Sequence, residues 1–356
     1  MAASPTDDLR IGAVRALIPP QLLIEQLPLD AAAQATVGKA RHALHGILHG
    51  ADDRLAVVIG PCSIHDATAA LEYAARLKAI AGRLQADLLV LMRVYFEKPR
   101  TTVGWKGYIN DPHLDGSFAI NEGLKLAREL LLVINSMGLP AAGEFLDLLS
   151  PQYISDLISW GAIGARTTES QTHRQLASGL SCPVGFKNGT DGSVKVAVDA
   201  LRAASAPHAF LGMTKTGQVA IYETIGNEDT HVILRGGKSP NYDSASVDAA
   251  CRELASAGLR QQVMIDFSHA NAGKLHQKQL EVSADVARQV AAGDSRITGV
   301  MVESHLHAGR QDLVPGTPLA YGISITDACI GWDDSVVVLE QLAAAVRSRR
   351  LAQAAA

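Results

Sequence analysis

The feature that most constrains this chain is an alternation of short apolar runs with longer segments of mixed polarity. Eight apolar runs follow one another along the chain: LAVVIG (55–60), LLVLMRV (88–94), PAAGEF (140–145), AIGART (162–167), PVGFKN (183–188), HVILRG (231–236), QVMIDF (262–267) and ITGVMVE (297–303). Nearly continuous apolar runs of this length are typical of strands buried on both faces of a parallel sheet. Eight such strands alternating with helices predict an α/β fold, a (β/α)8 TIM barrel.

The segments between and after these runs have the apolar periodicity of helices. This periodicity is found at 68–84, 121–137, 151–160, 193–204, 247–257, 281–292 and 335–346. Two parts of the chain do not fit the alternation. Residues 1–50 precede the first run and contain helical stretches, and residues 207–225 resemble two short strands around a Lys-Thr-Gly turn. We therefore predict an N-terminal extension over 1–50 and a barrel over 51–348, with a β-hairpin inserted at about 207–225.

Composition and charge exclude several classes of protein. The formal net charge of −4 argues against a broad basic surface for nucleic acid. No run reaches the ~18 apolar residues needed to span a bilayer, and the N-terminus lacks the apolar stretch of a signal peptide. Four cysteines in 356 residues do not form a disulfide framework. We therefore expect a cytoplasmic protein that binds neither nucleic acid nor a membrane.

Charged residues gather where the predicted strands end, which is where barrel active sites lie. Arginine suits the planar oxygens of phosphate and carboxylate, and lysine supplies a compact positive charge. Such a cluster predicts one or two substrates that carry several negative charges. The alternative is that each cation pairs with a carboxylate such as Glu97, Glu144 or Glu169. The six cations are Arg93, Lys98, Arg100, Arg166, Lys187 and Arg235.

A second group of strand-end and loop residues has the chemistry of metal ligands. It combines sulfur, nitrogen and oxygen donors, a mixture that suits Mn, Fe, Co or Zn better than Mg or Ca. The spacing is not that of a zinc finger, and a single buried cysteine or histidine is more often part of the core than a ligand. The group consists of Cys62, His269, Glu303 and Asp327.

Longer motifs resemble one protein family. They are GPCSIHD (60–66), RVYFEKPRTTVGWKG (93–107), GARTTESQ (164–171), GFKNGTDG (185–192), ILRGGK (233–238), DFSHAN (266–271), ESH (303–305) and SITDACIGW (324–332). Together they resemble the microbial class I 3-deoxy-D-arabino-heptulosonate 7-phosphate (DAHP) synthases over about residues 7–349. The resemblance implies a transferase that condenses phosphoenolpyruvate with D-erythrose 4-phosphate to give DAHP and phosphate. This reaction is the first step of the shikimate pathway and of aromatic amino-acid biosynthesis.

The resemblance also implies roles for individual residues. The positions that match the family's divalent-metal ligands are Cys62, His269, Glu303 and Asp327, and with Lys98 they form the predicted catalytic set. The implied substrate-binding residues are Arg93, Lys98, Pro99, Arg100, Thr101, Glu144, Ala165, Arg166, Lys187 and Arg235. In the implied mechanism the metal polarises the aldehyde of the sugar phosphate, and C3 of phosphoenolpyruvate attacks that carbonyl. Water then adds at C2, and the product forms with loss of phosphate.

Two other functions are compatible with parts of this pattern. A related 3-deoxy-D-manno-octulosonate 8-phosphate synthase would use arabinose 5-phosphate, but it is typically shorter and has a different loop where this chain has KPRTT. A phosphosugar-binding barrel without catalytic activity would need no metal ligands.

The extension and the hairpin are parts that a barrel alone does not need. In the family they build a feedback site for an aromatic amino acid, and the enzymes are homodimers or homotetramers. The matching positions are Asp8, Pro151, Gln152, Gly179, Leu180, Ser181, Phe210, Gly212 and Tyr222. A glycine at 212 favours tyrosine as the inhibitor because it leaves room for a hydroxyl group, although the bulk of Tyr222 keeps tryptophan open, and phenylalanine is a further alternative. Gly212 could instead simply ease the curvature of the hairpin.

A redox hypothesis concerns Cys62 and Cys329. Cys329 lies two residues after the predicted ligand Asp327. If the metal is lost, the two sulfurs could oxidise to a disulfide.

Overall fold

The chain forms a closed barrel of parallel strands with a small antiparallel hairpin beside it, in a computed structural model that describes residues 6–100, 102–314 and 316–354. The strands are β1 (Leu55–Gly60), β2 (Leu88–Arg93), β3 (Ala141–Glu144), β4 (Trp160–Ile163), β5 (Val184–Lys187), β6 (Ala209–Met213), β7 (Val219–Glu223), β8 (Thr230–Leu234), β9 (Val263–Asp266) and β10 (Ile297–Glu303). The helices are α1 (Pro20–Gln26), α2 (Ala31–Leu48), α3 (Ala67–Leu84), α4 (Ile120–Ser136), α5 (Pro151–Ile154), α6 (Gln171–Gly179), α7 (Lys195–Ala204), α8 (Ser244–Ser256), α9 (Lys278–Ala291) and α10 (Trp332–Ala354).

The strand order confirms the predicted (β/α)8 barrel. Neighbouring strands around the closed sheet are β1, β10, β9, β8, β5, β4, β3 and β2, and every pairing between them is parallel. Within the described ranges, strands β6 and β7 pair only with each other, from Ala209 opposite Glu223 to Met213 opposite Val219. The hairpin is therefore an insertion between the fifth and sixth barrel strands, as the sequence predicts.

The barrel interior is filled by side chains and is not a pore. Trp160, Met264 and Met301 belong to one buried cluster inside the sheet, and the indole of Trp160 donates to Nε2 of His231 at 3.1 Å. A second, larger cluster lies between the sheet and the surrounding helices. This two-sided burial explains why the strand sequences are apolar without alternation.

Helix α2 belongs to the N-terminal extension and packs against the barrel. Its side chains Leu44 and Ile47 are buried in the same cluster as the interior strand residues. Asp30 caps the helix by accepting from the backbone N–H of Ala33 at 2.7 Å. Helix α1 contacts the hairpin, because the N–H of Gln21 donates to the carbonyl of Lys215 at 2.7 Å. The extension therefore touches both the barrel and the inserted hairpin, while its predicted regulatory role stays a prediction.

Two predicted boundaries around β4 were wrong. The helix predicted at 151–160 ends at Ile154, and a 3-10 turn (Ser155–Leu157) follows it. The strand predicted at 162–167 is Trp160–Ile163, and residues 164–167 leave the sheet. The reason is pairing with β3: Trp160 lies opposite Ala142, and the N–H of Ser159 already donates to the carbonyl of Ala141 at 2.8 Å.

One helix was missed and one was predicted too short. Helix α6 lies between β4 and β5, but its sequence is largely polar and few of its side chains are buried, so it lacks a clear apolar stripe. The last helix begins at Trp332 and extends to Ala354, beyond the predicted 335–346. Within the described ranges, no helix combines the length and apolar character required to cross a bilayer.

Candidate active site

The carboxyl ends of the barrel strands surround a cavity of about 450 Å³, which we call the mouth. Nine of the predicted substrate-binding residues line it, together with three of the predicted metal ligands. Thr101, the tenth substrate-binding residue, lies outside the described residues. Cys62 is completely buried and lies beneath the lining. The lining includes Arg93, Lys98, Pro99, Arg100, Glu144, Ala165, Arg166, Lys187, Arg235, His269, Glu303 and Asp327.

Two of the six cations in the mouth are held by buried carboxylates. Arg93 donates from Nη2 to Oε1 of Glu303 at 2.9 Å, and both side chains are at most 2% exposed. Lys187 donates from Nζ to Oδ2 of Asp266 at 2.9 Å, also in the interior. Buried pairs of this kind fix the positions of both charges, because breaking one would leave an uncompensated ion.

Arg93 has additional partners that hold its guanidinium rigidly. Nε donates to the carbonyl of Pro61 at 3.1 Å, and Nη2 also donates to the carbonyl of Cys62 at 3.2 Å. The guanidinium carbon lies 3.5 Å from the centroid of the Tyr95 ring. The neighbouring Tyr95 and Glu303 hold the pKa of Arg93 high against the effect of its burial. Arg93 is therefore a fixed, permanently charged donor at the floor of the mouth.

Other cations in the mouth have no carboxylate partner within 4 Å in the described part of the chain. Arg235 is the clearest case, since its Nε is buried and has no hydrogen-bond acceptor there. Among the described residues, Arg166 forms no ion pair, and Arg100 donates only to the backbone carbonyl of Trp105 at 2.7 Å. A buried guanidinium N–H without an acceptor is costly unless a ligand supplies one. These residues therefore indicate an anion-binding site.

The carboxylates suggested as alternative partners do not neutralise these cations. Among the described residues, Glu97, Glu144 and Glu169 make no ion pair with any of the six. Glu97 instead accepts a hydrogen bond from Oγ of Ser150 at 2.8 Å, and burial raises its pKa to about 7. Glu144 lies over the turn after β4, where a Cβ on Gly164 would come within 2.5 Å of its Oε1.

Lys98 connects the cationic residues with the metal-ligand candidates. Its Nζ lies 3.1 Å from Sγ and 3.2 Å from the carbonyl oxygen of Cys62. The thiol is fully buried, and burial together with the charge of Glu303 raises its pKa to about 11. A nearby cation favours the thiolate, and a bound divalent metal would favour it much more strongly.

Three of the four predicted metal ligands come together. One donor atom each from Cys62, Glu303 and Asp327 lies within 4.8 Å of the other two, and Sγ of Cys62 is 3.7 Å from Oδ2 of Asp327. Partial burial opposes ionisation of Asp327, but Lys98, His269 and Arg93 outweigh it and lower its pKa. Thiol sulfur and carboxylate oxygens in one group could hold a divalent transition metal.

His269 lines the same mouth but lies outside that 4.8 Å group. Its Nδ1 faces Oδ2 of Asp266 at 2.9 Å and Oγ of Ser268 at 2.7 Å. Since these contacts engage Nδ1, Nε2 is the nitrogen left for a metal. His269 also has a left-handed backbone, with φ +56, which directs the chain away from the end of β9.

Sequence reasoning gave no role to the residues that orient these ligands. Asp266 touches both Lys187 and His269, and its pKa lies well below the ordinary value because its contacts with Lys187 and His269 outweigh its burial. Gln279 donates from its amide to the carbonyl of Glu303 and accepts from the N–H of the same residue. Asp266 could have been found from its place in the motif DFSHAN, but nothing in the sequence connects Gln279 with a residue 24 positions later.

The predicted disulfide between Cys62 and Cys329 stays a prediction. Both cysteines are free thiols and fully buried. Burial raises the pKa of Cys329 well above its ordinary value, as it raises that of Cys62. Protonated thiols react slowly with oxidants.

A second cavity, of about 1250 Å³, lies between the hairpin and the segments after β3 and α6; we call it the hairpin cavity. Eight of the nine predicted effector residues line it. Asp8 is exposed and lies outside this lining. The eight residues are Pro151, Gln152, Gly179, Leu180, Ser181, Phe210, Gly212 and Tyr222.

The two faces of the hairpin differ in exposure. Phe210 and Tyr222 lie opposite each other on the cavity side, with stacked rings 6.1 Å apart. Leu211, Val219 and Ile221 point the other way and are 80%, 81% and 73% exposed. Apolar side chains of this size on one strand pair form an uncovered patch, which we call the outer hairpin face.

The geometry of the mouth by itself indicates a class of protein. A (β/α)8 barrel whose mouth combines uncompensated arginines with a thiol–carboxylate group is typical of enzymes that use a metal ion to act on phosphorylated or carboxylated substrates.

Comparisons with known proteins identify the family. The family model described as "DAHP synthetase I family" matches residues 28–340. A Phe-sensitive phospho-2-dehydro-3-deoxyheptonate aldolase from Escherichia coli K12 is 64% identical over 97% of this chain and 98% of the relative. A Trp-sensitive aldolase of that name from Enterobacter agglomerans is 56% identical over 97% of this chain and 99% of the relative. The solved structure of phospho-2-dehydro-3-deoxyheptonate aldolase from Francisella tularensis SCHU S4 superposes with a TM-score of 0.94 at 53% identity, covering 96% of this chain and 99% of that one. The chain belongs to the DAHP synthetase I family.

Proposed function

We propose that this protein is a DAHP synthase, which condenses phosphoenolpyruvate with D-erythrose 4-phosphate and releases phosphate. The observation that carries the proposal is the mouth itself, where uncompensated cations lie beside a thiol–carboxylate group. The two substrates together bear two phosphates and one carboxylate, which match this excess of positive charge. Membership of the DAHP synthetase I family supports the same reaction.

The cations would divide the work of binding. Arg93 and Lys187, each fixed by a buried carboxylate, would hold phosphoenolpyruvate at the floor of the mouth with Arg166 and Arg235. Arg100 lies on the loop after β2 and would receive the sugar phosphate with Pro99 and Thr101, and Lys98 on the same loop would contact phosphoenolpyruvate as well as the sugar phosphate. Holding both substrates in register would contribute much of the acceleration, because effective molarity is worth ~7–11 kcal/mol in well-oriented reactions.

The residues Cys62, His269, Glu303 and Asp327 would hold one divalent metal per subunit. The donor set of sulfur, nitrogen and oxygen favours Mn, Fe, Co or Zn over Mg or Ca. When bound, such an ion would act as a Lewis acid toward the aldehyde oxygen. Asp266 would keep the imidazole of His269 oriented, and Gln279 would do the same for the backbone of Glu303.

A phosphate-release assay tests the reaction. Purified protein loaded with manganese is expected to release phosphate only when phosphoenolpyruvate and erythrose 4-phosphate are both present. Arabinose 5-phosphate in place of erythrose 4-phosphate tests for a 3-deoxy-D-manno-octulosonate 8-phosphate synthase. Binding of both substrates without phosphate release would instead indicate a non-catalytic phosphosugar-binding barrel. The cytoplasmic location stays a prediction.

The hairpin cavity would bind an aromatic amino acid that inhibits the enzyme. Its lining offers aromatic side chains from Phe210 and Tyr222 and small residues near α6 such as Gly179. The names of the relatives, which include Phe-sensitive and Trp-sensitive enzymes, support this class of effector.

Tyrosine inhibition stays a prediction, but its steric argument is weaker than the sequence suggested. A Cβ on Gly212 would lie 2.3 Å from Cδ2 of Tyr222, so the Tyr222 ring occupies the room that the glycine leaves. The hydroxyl of Tyr222 donates to the carbonyl of Met213 at 2.9 Å and holds the ring in this position. Phenylalanine, tyrosine and tryptophan therefore need separate inhibition assays, and insensitivity to tyrosine would overturn the prediction that tyrosine is the inhibitor.

The outer hairpin face would be a contact between subunits of a homodimer or homotetramer. Three large aliphatic side chains of the β6–β7 pair are more than two-thirds exposed there. Covering such a patch with a second copy would remove apolar surface from water, and each Å² buried would stabilise the contact by ~25 cal/mol. Oligomers of identical chains most often use self-complementary patches of this type.

Substitutions on opposite faces of the hairpin are expected to have separable effects. Phe210→Ala removes an aromatic wall of the hairpin cavity, so inhibition by the effective amino acid should weaken by about 10-fold or more while the oligomer mass stays unchanged. Ile221→Asp places a charge on the outer hairpin face, so the mass measured by light scattering should fall. Inhibition curves and light scattering on both variants check these outcomes.

Gln218→Ala at the exposed hairpin tip is the matched control and should change neither quantity. Full inhibition of the Phe210→Ala enzyme would argue against effector binding in the hairpin cavity. An unchanged mass for Ile221→Asp would argue against the outer hairpin face as a subunit contact.

A further inference from the structure

A second cluster of possible metal ligands lies far from the mouth and plays no part in the proposed reaction. It consists of His45 in the last turn of α2, His49 directly after that helix and Asp229 in the turn before β8, and we call it the α2 cluster. One donor atom from each residue lies within 4.8 Å of the other two. Asp229 precedes β8 whereas Arg235 follows it, so the α2 cluster is at the opposite end of the barrel from the mouth.

The two histidines are placed by the geometry of the helix. Positions four apart lie on one face of an α-helix, and the imidazole rings are stacked with their centroids 3.9 Å apart. Nδ1 of His45 is 2.8 Å from Oδ1 of Asp229, and Nε2 of His49 is 2.9 Å from the same oxygen. Two imidazole nitrogens thus lie next to one carboxylate oxygen at the protein surface.

Buried neighbours and backbone hydrogen bonds fix the positions of these donors. Leu44 and Ile47 lie beside the histidines in sequence, and both are buried in the cluster inside the barrel. The carbonyl of Asp229 accepts from the N–H of Val184 at 3.2 Å, and its own N–H donates to Oδ1 of Asn227 at 3.1 Å. Three donors on a packed helix and a pinned turn need little reorganisation to bind an ion.

Hydrogen bonds alone cannot satisfy all the contacts of His49. Nη2 of Arg260 lies 2.9 Å from the same Nε2 that faces Asp229. If Nε2 carries a proton, it can donate to Asp229 but cannot accept from Arg260; if it carries a lone pair, the reverse holds. A cation between Nε2 and the carboxylate would use that lone pair and Oδ1 together. Arg260 has another acceptor in reach, the carbonyl of Glu228 at 3.1 Å.

From this geometry we infer that the α2 cluster is a second metal site, for a divalent transition ion such as Zn²⁺. Two imidazoles and one carboxylate are a donor set that zinc commonly uses, with water completing the tetrahedron. The bound ion would join the N-terminal extension to the turn that connects the inserted hairpin with β8. It would therefore stabilise the attachment of both additions to the barrel and take no part in the chemistry at the mouth.

Zinc stoichiometry on the intact chain tests the inference. Protein stripped with a chelator, reloaded with excess Zn²⁺ and passed through a desalting column should retain about two ions per chain, one at each site. His49→Gln should retain about one, and added Zn²⁺ should raise its chemical denaturation midpoint less than it raises that of the unsubstituted protein. His42→Gln, at an exposed position on the same helix, should behave like the unsubstituted protein.

Cys62→Ser separates this site from the proposed metal in the mouth. Loss of the mouth ion in that variant should leave the zinc of the α2 cluster in place. If the unsubstituted protein retains one ion that Cys62→Ser loses and His49→Gln keeps, the α2 cluster is not a metal site, while the proposed function stands. If the single ion is lost in His49→Gln alone, the proposed metal of the mouth is the one that fails.

Arg260→Gln provides a test that keeps all three ligands. Removing a positive charge next to the ion should tighten zinc binding at the α2 cluster about 5- to 10-fold. The Arg260→Gln test can be carried out even if the His49→Gln protein does not fold. Unchanged zinc affinity in the Arg260→Gln protein would contradict the inferred position of the ion.

Discussion

Turnover is expected to fall at least about 10³-fold in Lys98→Ala, the range reached when an enzyme loses a preorganised electrostatic donor. Lys98 lines the mouth, and its Nζ lies 3.1 Å from Sγ of Cys62. Among the described side chains, Lys98 and Arg93 are the two of the six cations that contact a proposed metal ligand directly. Alanine removes the ammonium group without adding a new charge. Steady-state phosphate release with both substrates measures the effect.

The variant should still bind the metal, because Cys62, Glu303 and Asp327 keep their positions. Metal content measured after desalting therefore distinguishes loss of a catalytic group from collapse of the site. Lys106→Ala is the matched control: Lys106 lies on the same loop but is exposed, and only its backbone carbonyl contacts Lys98. Near-normal turnover in Lys98→Ala would contradict the role assigned to this residue and with it the proposed chemistry.

A large loss is also expected from Asp327→Asn, which keeps the shape of the side chain and removes its charge. The carboxylate lies in the thiol–carboxylate group, with Oδ2 3.7 Å from Sγ of Cys62. Removing the charge of a ligand should weaken metal binding by at least about 10- to 100-fold, the cost measured even for groups that only support ligands. Activity at low metal concentration should therefore disappear and return in part when the metal is in excess.

The measurement is a metal titration of chelated enzyme with Mn, Fe, Co and Zn added back separately, followed by phosphate release. Asp327 is preferred to Glu303 for this purpose, because Glu303 is paired with buried Arg93 and its loss would also destabilise the fold. Asp333→Asn, at an exposed position nearby in α10, serves as the control. Equal metal affinity in Asp327→Asn and the unsubstituted protein would remove Asp327 from the ligand set.

Much of the barrel was predictable because its strands are buried on both faces. A strand between helices and an interior cluster must be apolar throughout, and that pattern is visible in one dimension, as in LAVVIG and ITGVMVE. Errors arose where this signal is weak. The apolar segment from Ile158 to Ile163 is continuous with the turn before it, so its division into turn and strand depended on pairing with β3.

The residues of the candidate site could be predicted from the sequence, but the contacts between their side chains could not. Because all eight parallel strands end at one face, charged residues at the strand ends must come together, whatever their distance in sequence. Which cation pairs with which acid followed from side-chain packing. Arg93 pairs with Glu303, a predicted metal ligand, and Lys187 pairs with Asp266, which had no predicted role.

The sequence by itself determined the barrel, the set of charged residues at its mouth and the family resemblance, because period, composition and motif are properties of the linear chain. Only the tertiary structure decided which cations stay uncompensated, how the Tyr222 ring fills the space beside Gly212, and that His45 and His49 meet Asp229. Those outcomes depend on distances between side chains that are remote in sequence. Such distances arise when the sheet closes and the helices pack against it, and no local pattern encodes them.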